Sequence, residues 1–266
     1  MNKSLLFGSV ALLTFAAASS AGAAGFVNGG FETGDATGWE SGGAYRGSTL
    51  NNALNPDTIV QGNDNNRSQV INKTYVDPNV GSVIGTTVYS GNYSYRVQDT
   101  TTGGYASVLQ QKVENYTDAN IFFAWKAVIE GAHGVNDSAT LLITLKDLTN
   151  NEVLISRQYN AAQNGSGVDG LFDQYGRYFY TPDWQIEQLS IGQDRMGNDF
   201  LLSILAADCQ PTGHRGYVYI DGFGAVTPPP SAVPEPATWA MMILGFGAAG
   251  AAVRNSRRRQ AALAAA

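Results

Sequence analysis

Two short runs of apolar residues decide the fold of this chain: ATLLITL at 139–145 and FLLSILA at 200–206. Each run has the length of a strand and carries few polar side chains. Runs of this kind are typical of strands that are buried on both faces of a sheet. We therefore expect both segments to be central strands.

Further runs rich in Val, Ile, Tyr, Phe and Thr, bounded by Gly, Asn, Asp and Pro, predict additional strands. They lie at 94–97, 106–113, 121–129, 153–159, 184–191 and 217–220. Asn150 and Asn151 separate two predicted strands, and Asn tolerates the positive φ of a hairpin turn. The pattern predicts an all-β chain folded as an antiparallel jelly-roll β-sandwich, with Trp125 in its core.

Residues 47–92 interrupt this pattern, because they are polar and rich in Asn and contain few apolar runs. The segment is either a long excursion from the sandwich or a loop-rich subdomain. Long loops of this kind are often functional or disordered. The sequence leaves both interpretations open.

The chain is acidic, with 16 Lys and Arg against 22 Asp and Glu and a net charge of −6. The predicted domain at 24–227 holds eleven basic and twenty-one acidic residues, a net charge of −10. Binding to nucleic acid depends on basic side chains that neutralise phosphates. The composition therefore argues against a nucleic-acid partner.

Residues 1–23 have the features of a secretory signal peptide. Lys3 precedes an uncharged apolar run at 5–18, and the small residues Ala21-Gly22-Ala23 fit a cleavage site. We expect export through the inner membrane and cleavage after Ala23. The alternative is an anchor that is not cleaved.

Two segments after the predicted domain indicate attachment to a membrane. Residues 228–233 are a Pro-rich linker, and the uncharged, largely apolar stretch at 237–253 is long enough to span a bilayer. Trp239 lies near the start of that stretch, where an indole ring prefers the interface, and arginines follow its end. Since basic residues stay on the cytoplasmic side, the predicted transmembrane helix would hold the domain outside the cytoplasm.

Residues 234–259 resemble the PEP-CTERM sorting signals. The residues that carry the resemblance are Pro234, Glu235, Pro236, Trp239, Arg257, Arg258 and Arg259. The resemblance implies a Gram-negative bacterium and processing by an exosortase near the PEP residues. It also implies a final place at the cell surface or in the extracellular matrix, beside exopolysaccharide. The extension at 260–266 departs from the family pattern.

The two ends of the predicted domain resemble galactose-binding-like jelly rolls, the fold of many carbohydrate-binding modules. The resemblance rests on FVNGGFETG at 26–34 with Gly38-Trp39 after it, and on GYVYIDGF at 216–223. It implies that the first and last strands lie together and that the domain binds a glycan.

Glu32 and Asp221 lie in these two end motifs. If the end strands pair, their carboxylates could approach one another, and carboxylates with backbone carbonyls suit Ca²⁺. The resemblance also implies a structural Ca²⁺ in this area. The alternatives are that both are exposed turn residues, or that Glu32 pairs with an arginine.

Four aromatic residues are candidates for ligand binding: Tyr175, Tyr178, Tyr180 and Trp184, close to Asp173, Arg177 and Asp183. Aromatic rings pack against the apolar faces of sugars, while polar groups bond to the hydroxyls. The alternative is ordinary strand composition, in which such rings fill the core.

Cys209 is the single cysteine, and His133 and His214 are the only histidines. We expect Cys209 to be a buried apolar residue; the alternative, a catalytic thiol, would need His214 as its partner. The histidines could bind a metal with Asp208 or Asp137 only if their loops meet, and their spacing matches no zinc motif. We therefore expect surface histidines in turns.

The sequence favours a non-catalytic function: an exported, membrane-tethered surface or matrix protein that binds glycan or exopolysaccharide. It contains no G-x-S-x-G elbow, H-E-x-x-H motif or P-loop. Two alternatives are a secreted enzyme that acts on polysaccharide and a structural adhesin without a defined ligand.

Overall fold

The computed structural model describes residues 25–62, 66–211 and 213–224, which form an antiparallel β-sandwich. Its twelve strands are β1 (Glu40–Tyr45), β2 (Gln69–Asn72), β3 (Tyr93–Val97), β4 (Tyr105–Tyr116), β5 (Asn120–Glu130), β6 (Thr140–Asp147), β7 (Glu152–Asn160), β8 (Asp173–Tyr175), β9 (Tyr178–Tyr180), β10 (Gln185–Ser190), β11 (Asn198–Ala207) and β12 (Gly216–Gly224). One short helix, α1 (Pro56–Ile59), and two 3-10 turns, Asn51–Ala53 and Gly81–Ile84, complete the described elements. The predicted fold class is confirmed.

The strands divide into two sheets. The five-stranded sheet has the order β1-β4-β11-β6-β7, and the seven-stranded sheet has the order β2-β3-β12-β5-β9-β8, with β10 also paired to β5. β10 and β9 share one edge of β5, because β10 pairs with residues 120–125 and β9 with residues 128–130. β6 and β11 are interior strands, so the prediction from their apolar runs is confirmed.

The main core lies between the two sheets and shows the alternation expected of strands. On β5 the inward side chains are Ile121, Phe123, Trp125, Ala127 and Ile129, all of which belong to this core. The Trp125 ring is fully buried, and its centroid lies 5.5 Å from that of Tyr159 on the opposite sheet. Trp125 is therefore a core residue, as predicted.

The turn between β6 and β7 contains the predicted Asn pair. Asn151 adopts a φ of +53°, and the backbone N–H of Asn150 donates to Asp147 Oδ1 at 2.9 Å. Asn is among the non-glycine residues that best tolerate this left-handed conformation. The predicted hairpin is confirmed.

The excursion at 47–92 covers the outer face of the five-stranded sheet with its first part. Leu54, Ile59 and Val60, in and beside α1, form an apolar cluster with side chains of β4 and β11. α1 begins at a capping residue, since Asn55 Oδ1 accepts a hydrogen bond from the backbone N–H of Asp57 at 2.9 Å. The cap satisfies one of the N–H groups that a helix start leaves without an internal partner.

The later part of the excursion covers the outer face of the seven-stranded sheet. Val80 and Ile84 pack with Tyr217 and Tyr219 in a further apolar cluster. Beneath them lies Lys126, whose side chain is buried and donates to the carbonyl of Ile84. Burial lowers the pKa of Lys126 to about 8. The described parts of this segment therefore pack onto both sheets and do not form a separate subdomain.

The expectation that the first and last strands lie together is wrong. β1 pairs with β4 in one sheet, whereas β12 pairs with β3 and β5 in the other. Asn28 and Phe31 adopt φ values of +50° and +54°, so the segment before β1 turns instead of extending. The end motifs meet through this turn, where Phe223 N–H donates to Gly29 O at 3.1 Å.

Several expectations lie outside the described residues. They are the signal peptide at 1–23, the linker at 228–233, and the sorting segment at 234–259 with its transmembrane helix at 237–253. Among the residues that the structure describes, none forms a helix of the length and apolarity needed to cross a bilayer.

Candidate functional site

Several loops at one end of the sandwich enclose a cleft. We call this feature the loop-end cleft; its volume is about 540 Å³, and it is lined by Gly131, Ala132, His133, Gln163, Gln174, Gly176, Arg177, Phe179 and His214. A neighbouring depression of about 410 Å³ shares His133 and Gln163 with it. The lining therefore combines side-chain amides, a guanidinium group and two imidazoles.

The loops that form the cleft are joined by backbone hydrogen bonds. Ala132 N–H donates to Ala161 O at 3.0 Å, and Gln163 N–H donates to His133 O at 3.1 Å. His133 has a φ of +59°, so the β5–β6 loop turns sharply at that residue. These contacts tie the β5–β6 loop to the β7–β8 loop and fix the position of the His133 ring.

A buried carboxylate at the end of β5 holds the other side of the cleft. Glu130 is fully buried, and it accepts hydrogen bonds from Arg177 Nη1 and Arg215 Nη1, each at 2.7 Å. The backbone N–H of Arg215 donates to the same carboxylate at 3.1 Å. Because a buried charge needs partners, this network orients the β8–β9 hairpin and the β11–β12 loop around Glu130.

Arg46 fixes the loops behind the cleft. Its side chain is buried and donates to the carbonyls of Thr49 at 2.8 Å and Ser138 at 3.0 Å, and also to the carbonyl of Asp208 and the side chain of Asn51. Burial lowers the pKa of Arg46 to about 10, although the neighbouring charge of Cys209 opposes that effect. Arg46 therefore connects three chain segments that are distant in sequence.

The single cysteine and both histidines meet beside the cleft. Cys209 Sγ lies 3.1 Å from His214 Nδ1, and His133 Nε2 lies 3.2 Å from the same nitrogen. Cys209 is fully buried, as expected. Both histidines lie in loops and are partly exposed, and the hydrogen-bonded loops carry the two rings to one place, which is the condition that a metal site would require. Burial lowers the pKa of His214, which favours the neutral imidazole.

The four predicted aromatic residues do not share one exposed face. Tyr175 is 51% exposed, whereas Tyr180 is buried in the cluster under the excursion. Trp184 packs against that cluster, and its buried indole N–H has no hydrogen-bond partner in the described residues. Tyr178 pairs with Tyr175 across the β8–β9 hairpin. Ligand binding by these four residues stays a prediction.

Tyr178 is fixed by its hydroxyl group. The hydroxyl donates to Asn79 Oδ1 at 3.2 Å and accepts from Arg215 Nη1 at 3.1 Å. Burial and the nearby charge of Glu130 raise the pKa of Tyr178. Tyr178 therefore links the excursion to the loop-end network.

Glu32 and Asp221 both lie close to Gly30. A Cβ atom added to Gly30 would lie 3.7 Å from Asp221 Oδ1 and 3.7 Å from Glu32 Cγ. The Asp221 carboxylate accepts backbone N–H groups from Tyr89 at 2.9 Å and Ser90 at 3.0 Å. Burial raises the pKa of Asp221 to about 7, and the charge of Glu32 adds to the effect.

Glu32 is in a different environment. It accepts the backbone N–H groups of Asn92 at 2.9 Å and Tyr93 at 3.0 Å. Burial opposes its ionisation, but these hydrogen bonds outweigh burial and lower the pKa of Glu32. Two carboxylates suit Ca²⁺ chemically, and Ca²⁺ binding here stays a prediction.

Glu130, Arg215 and Arg46 are site residues that sequence reasoning missed. Arg177 was noted only as a neighbour of the aromatic candidates. No local motif marks these residues, because each acts through partners in other strands. The only local signal in the sequence is a charged residue directly before Gly, and for Glu130 and Arg215 this residue also lies near the end of a predicted strand.

Comparison with known protein families gives one match, at the C-terminal end. Residues 232–259 match the PEP-CTERM protein-sorting motif. The chain carries this motif in that segment. The resemblance seen in Pro234, Glu235 and Pro236 is therefore confirmed, and the motif marks an exported protein that is sorted to the cell envelope.

Comparison with curated proteins found no match. Solved structures that this chain is similar to include TmCBM61 in complex with β-1,4-galactotriose, at 15% identity over 75% of this chain and 95% of that chain, with a TM-score of 0.41. The K1 cleaved adhesin domain of Lys-gingipain from Porphyromonas gingivalis W83 matches at 11% identity over 73% and 94% of the two chains, with a TM-score of 0.36. Caldicellulosiruptor saccharolyticus CBM27-1 with mannohexaose matches at 10% identity over 74% and 94%, with a TM-score of 0.34.

Proposed function

We propose that this protein is tethered to the bacterial membrane by its C-terminal segment and then released by an exosortase near Pro234-Glu235-Pro236. The PEP-CTERM match at 232–259 supports the proposal, together with the apolar stretch and the arginines that follow it. Trp239 at the start of that stretch and Arg257, Arg258 and Arg259 after it give the orientation in which the sandwich faces outward.

The processing step has a direct test in the cells that express the protein. Replacement of Pro234, Glu235 and Pro236 by alanine should leave the unprocessed mass, measured by mass spectrometry of the membrane fraction. A matched control replaces Pro228, Pro229 and Pro230, which lie in the preceding linker. A normal mature mass in the first variant would reject processing at the PEP residues.

The sandwich itself is proposed to bind a glycan without catalysis. The observation that carries this proposal is the loop-end cleft, whose lining includes the side chains of Gln163, Gln174 and Arg177. Amides and guanidinium groups can each donate two hydrogen bonds in a fixed plane, and this suits neighbouring sugar hydroxyls. Tyr175, which follows Gln174 on β8 and is 51% exposed, offers an apolar ring surface on the β8–β9 hairpin.

Exopolysaccharide of the producing cell is the ligand class that fits both proposals. An extended polymer can enter an open cleft at one side and leave it at the other. The sorting segment would hold the cleft at the cell surface, where such a polymer emerges. The acidic charge of the chain favours a neutral or cationic glycan over an anionic one.

A glycan-array screen, run with Ca²⁺ and with a chelator, tests this proposal. Saturable binding should weaken about 5-fold or more on Tyr175→Ala or Gln174→Ala, since a lost stacking or hydrogen-bonding contact costs on the order of 1 kcal/mol or more. Tyr45→Ala and Gln188→Ala are matched controls, because both side chains are exposed on strands away from the cleft.

The outcomes separate the three function classes. Binding without the release of reducing ends supports a non-catalytic module. Turnover of the bound polysaccharide would establish the enzyme instead. If no glycan binds, the structural adhesin becomes the better account.

A further inference from the structure

The chain holds one cysteine and two histidines among 266 residues, and all three lie together. Their donor atoms, Cys209 Sγ and one ring nitrogen each of His133 and His214, lie within 4.8 Å of one another. The residues come from two loops that are about 80 positions apart. A thiolate and two imidazoles form a donor set that is typical of zinc and copper sites.

The spacing of these atoms is close to that of ligands around a tetrahedral ion. Zn–S and Zn–N bonds of about 2.3 and 2.0–2.1 Å place neighbouring donors about 3.3–3.6 Å apart. The Cys209 Sγ to His214 Nδ1 distance is 3.1 Å, and the His133 Nε2 to His214 Nδ1 distance is 3.2 Å. For these two pairs an ion needs an outward shift of only a few tenths of an ångström, and the donor atoms of Cys209 and His133 lie within 4.8 Å of each other.

We propose that His133, Cys209 and His214 bind one Zn²⁺ ion beside the loop-end cleft. Three protein ligands leave one coordination position, which a water or a ligand atom from the cleft would fill. The bound ion would join the β5–β6 loop to the β11–β12 loop. This site is separate from the predicted Ca²⁺ site at Glu32 and Asp221, and it does not depend on glycan binding.

Hydrogen bonds hold Cys209 and the chain on either side of it in place. The backbone N–H of His214 donates to Cys209 Sγ at 2.9 Å, a contact that stabilises negative charge on sulfur. The buried guanidinium of Arg46 donates to the carbonyl of Asp208, the residue before Cys209. The Arg46 hydrogen bonds and the loop contacts hold the donors in place before an ion arrives, which lowers the ordering cost of binding.

A catalytic thiol fits the same residues less well. Cys209 is fully buried and is not among the residues that line the cleft, whereas His133 and His214 both line it. A substrate in the cleft would therefore meet the two imidazoles and not the nucleophile. An ion placed among the three donors, in contrast, would be reached from the cleft between the rings.

The test uses the full chain, purified in detergent under reducing conditions through a tag without histidine. Zn²⁺ is titrated in competition with a chromophoric chelator, and Co²⁺ is used as a spectroscopic probe. We expect one ion per chain. We also expect a Co²⁺ spectrum with a thiolate charge-transfer band and intense tetrahedral d–d bands.

Three variants locate the ligands. Cys209→Ser should remove the charge-transfer band, and His133→Ala and His214→Ala should each weaken Zn²⁺ binding about 100-fold or more, since even the groups that support metal ligands contribute 10–100-fold. Val135→Ala is the matched control, because this exposed residue lies two positions from His133 and lines the neighbouring depression but offers no donor atom. It should bind Zn²⁺ as the unchanged protein does.

The proposal is overturned by a lack of stoichiometric Zn²⁺ binding, by a Co²⁺ spectrum without the thiolate band, or by full affinity in the His133→Ala variant. The Co²⁺ spectrum is recorded on the unchanged chain, so misfolding of a variant cannot imitate a negative result. Selective binding of copper with no Zn²⁺ affinity would also overturn the assignment of the ion.

Discussion

Arg215 and Glu130 meet at the start of β12 and the end of β5, where Arg215 Nη1 lies 2.7 Å from Glu130 Oε2 and the backbone N–H of Glu130 donates to Arg215 O at 2.7 Å. The carboxylate is fully buried, and the arginine side chain is 24% exposed. The two residues are therefore joined by a side-chain ion pair and by a backbone hydrogen bond. Together these contacts fix the β11–β12 loop, beside the loop-end cleft, to the end of β5.

Arg215→Ala should destabilise the protein by about 3 kcal/mol, because it leaves a buried carboxylate with fewer partners. Urea unfolding measures the change. The double variant with Glu130→Gln should recover part of the loss, with a coupling energy of about 0.5–3 kcal/mol. Lys112→Ala is the control: its ion pair with Glu114 is also 2.7 Å long but exposed, and its loss should have no measurable effect. Additive effects of the two buried changes would contradict this account.

Arg46→Met should destabilise the protein by on the order of 3 kcal/mol, because several buried acceptors, including the carbonyls of Thr49 and Ser138, lose their donor. Arg46→Lys should recover little, since one ammonium group cannot reproduce the planar guanidinium contacts. Urea unfolding followed by circular dichroism gives both values. A Lys variant as stable as the unchanged chain would show that only the charge matters.

The stability of the protein should fall as pH rises from about 5 to about 7 in the presence of a chelator. Burial raises the pKa of Asp221 and of Asp208 to about 7, above the ordinary value of 3.8. The folded state then holds protons that the unfolded state releases, so their contribution is present at low pH and is lost as pH rises through 7. Melting temperatures across this range provide the measurement.

Asp221→Asn should reduce the slope of that pH profile, and Asp208 should account for what remains. If Ca²⁺ binds at Glu32 and Asp221, added Ca²⁺ should also flatten the profile, because the ion would favour the ionised carboxylate. A profile that rises with pH in the unchanged chain would be inconsistent with the buried, protonated carboxyl groups.

Gly42→Ala should detach the excursion from the five-stranded sheet. A Cβ at Gly42 would overlap the carbonyl of Val60. This steric clash should lower the free energy of unfolding by about 1–3 kcal/mol. Hydrogen exchange of the Gly43 amide, which donates to Gly62 O at 2.8 Å, should become faster. Gly170→Ala is the control, because nothing lies within 4 Å of its Cβ position. Equal stability of the two variants would refute close packing at Gly42.

The strands that could be predicted from the sequence are those with local signals. The apolar runs at 139–145 and 200–206 lie in β6 and β11, since burial on both faces leaves a continuous apolar pattern. β1, with the sequence ESGGAY, was missed because it has little apolar character and pairs only as an edge strand. Its glycines instead permit the close approach of Val60 and the residues that follow.

Most of the candidate site could not be predicted from the sequence, for a different reason. His133 and Cys209 are remote in sequence, and their meeting depends on the register of β5 and β12 and on the contacts of Arg46. No pattern of residue spacing contains that information. Glu32 and Asp221 were placed in one region by the end motifs, although the contact is made by a turn before β1 and not by paired strands.

Residues 47–92 pack on the outer faces of both sheets. Most residues that stabilise the fold are therefore different from those that line the loop-end cleft. The strands and the excursion carry the apolar clusters, while the loops at 131–138, 161–172 and 176–177 carry the cleft. Exposed loop positions can therefore vary during evolution, or be randomised in a library, whereas Ala161 and Phe172 must stay apolar because they pack in or against the main core. The sandwich is in that sense a scaffold on which new specificities could be grafted.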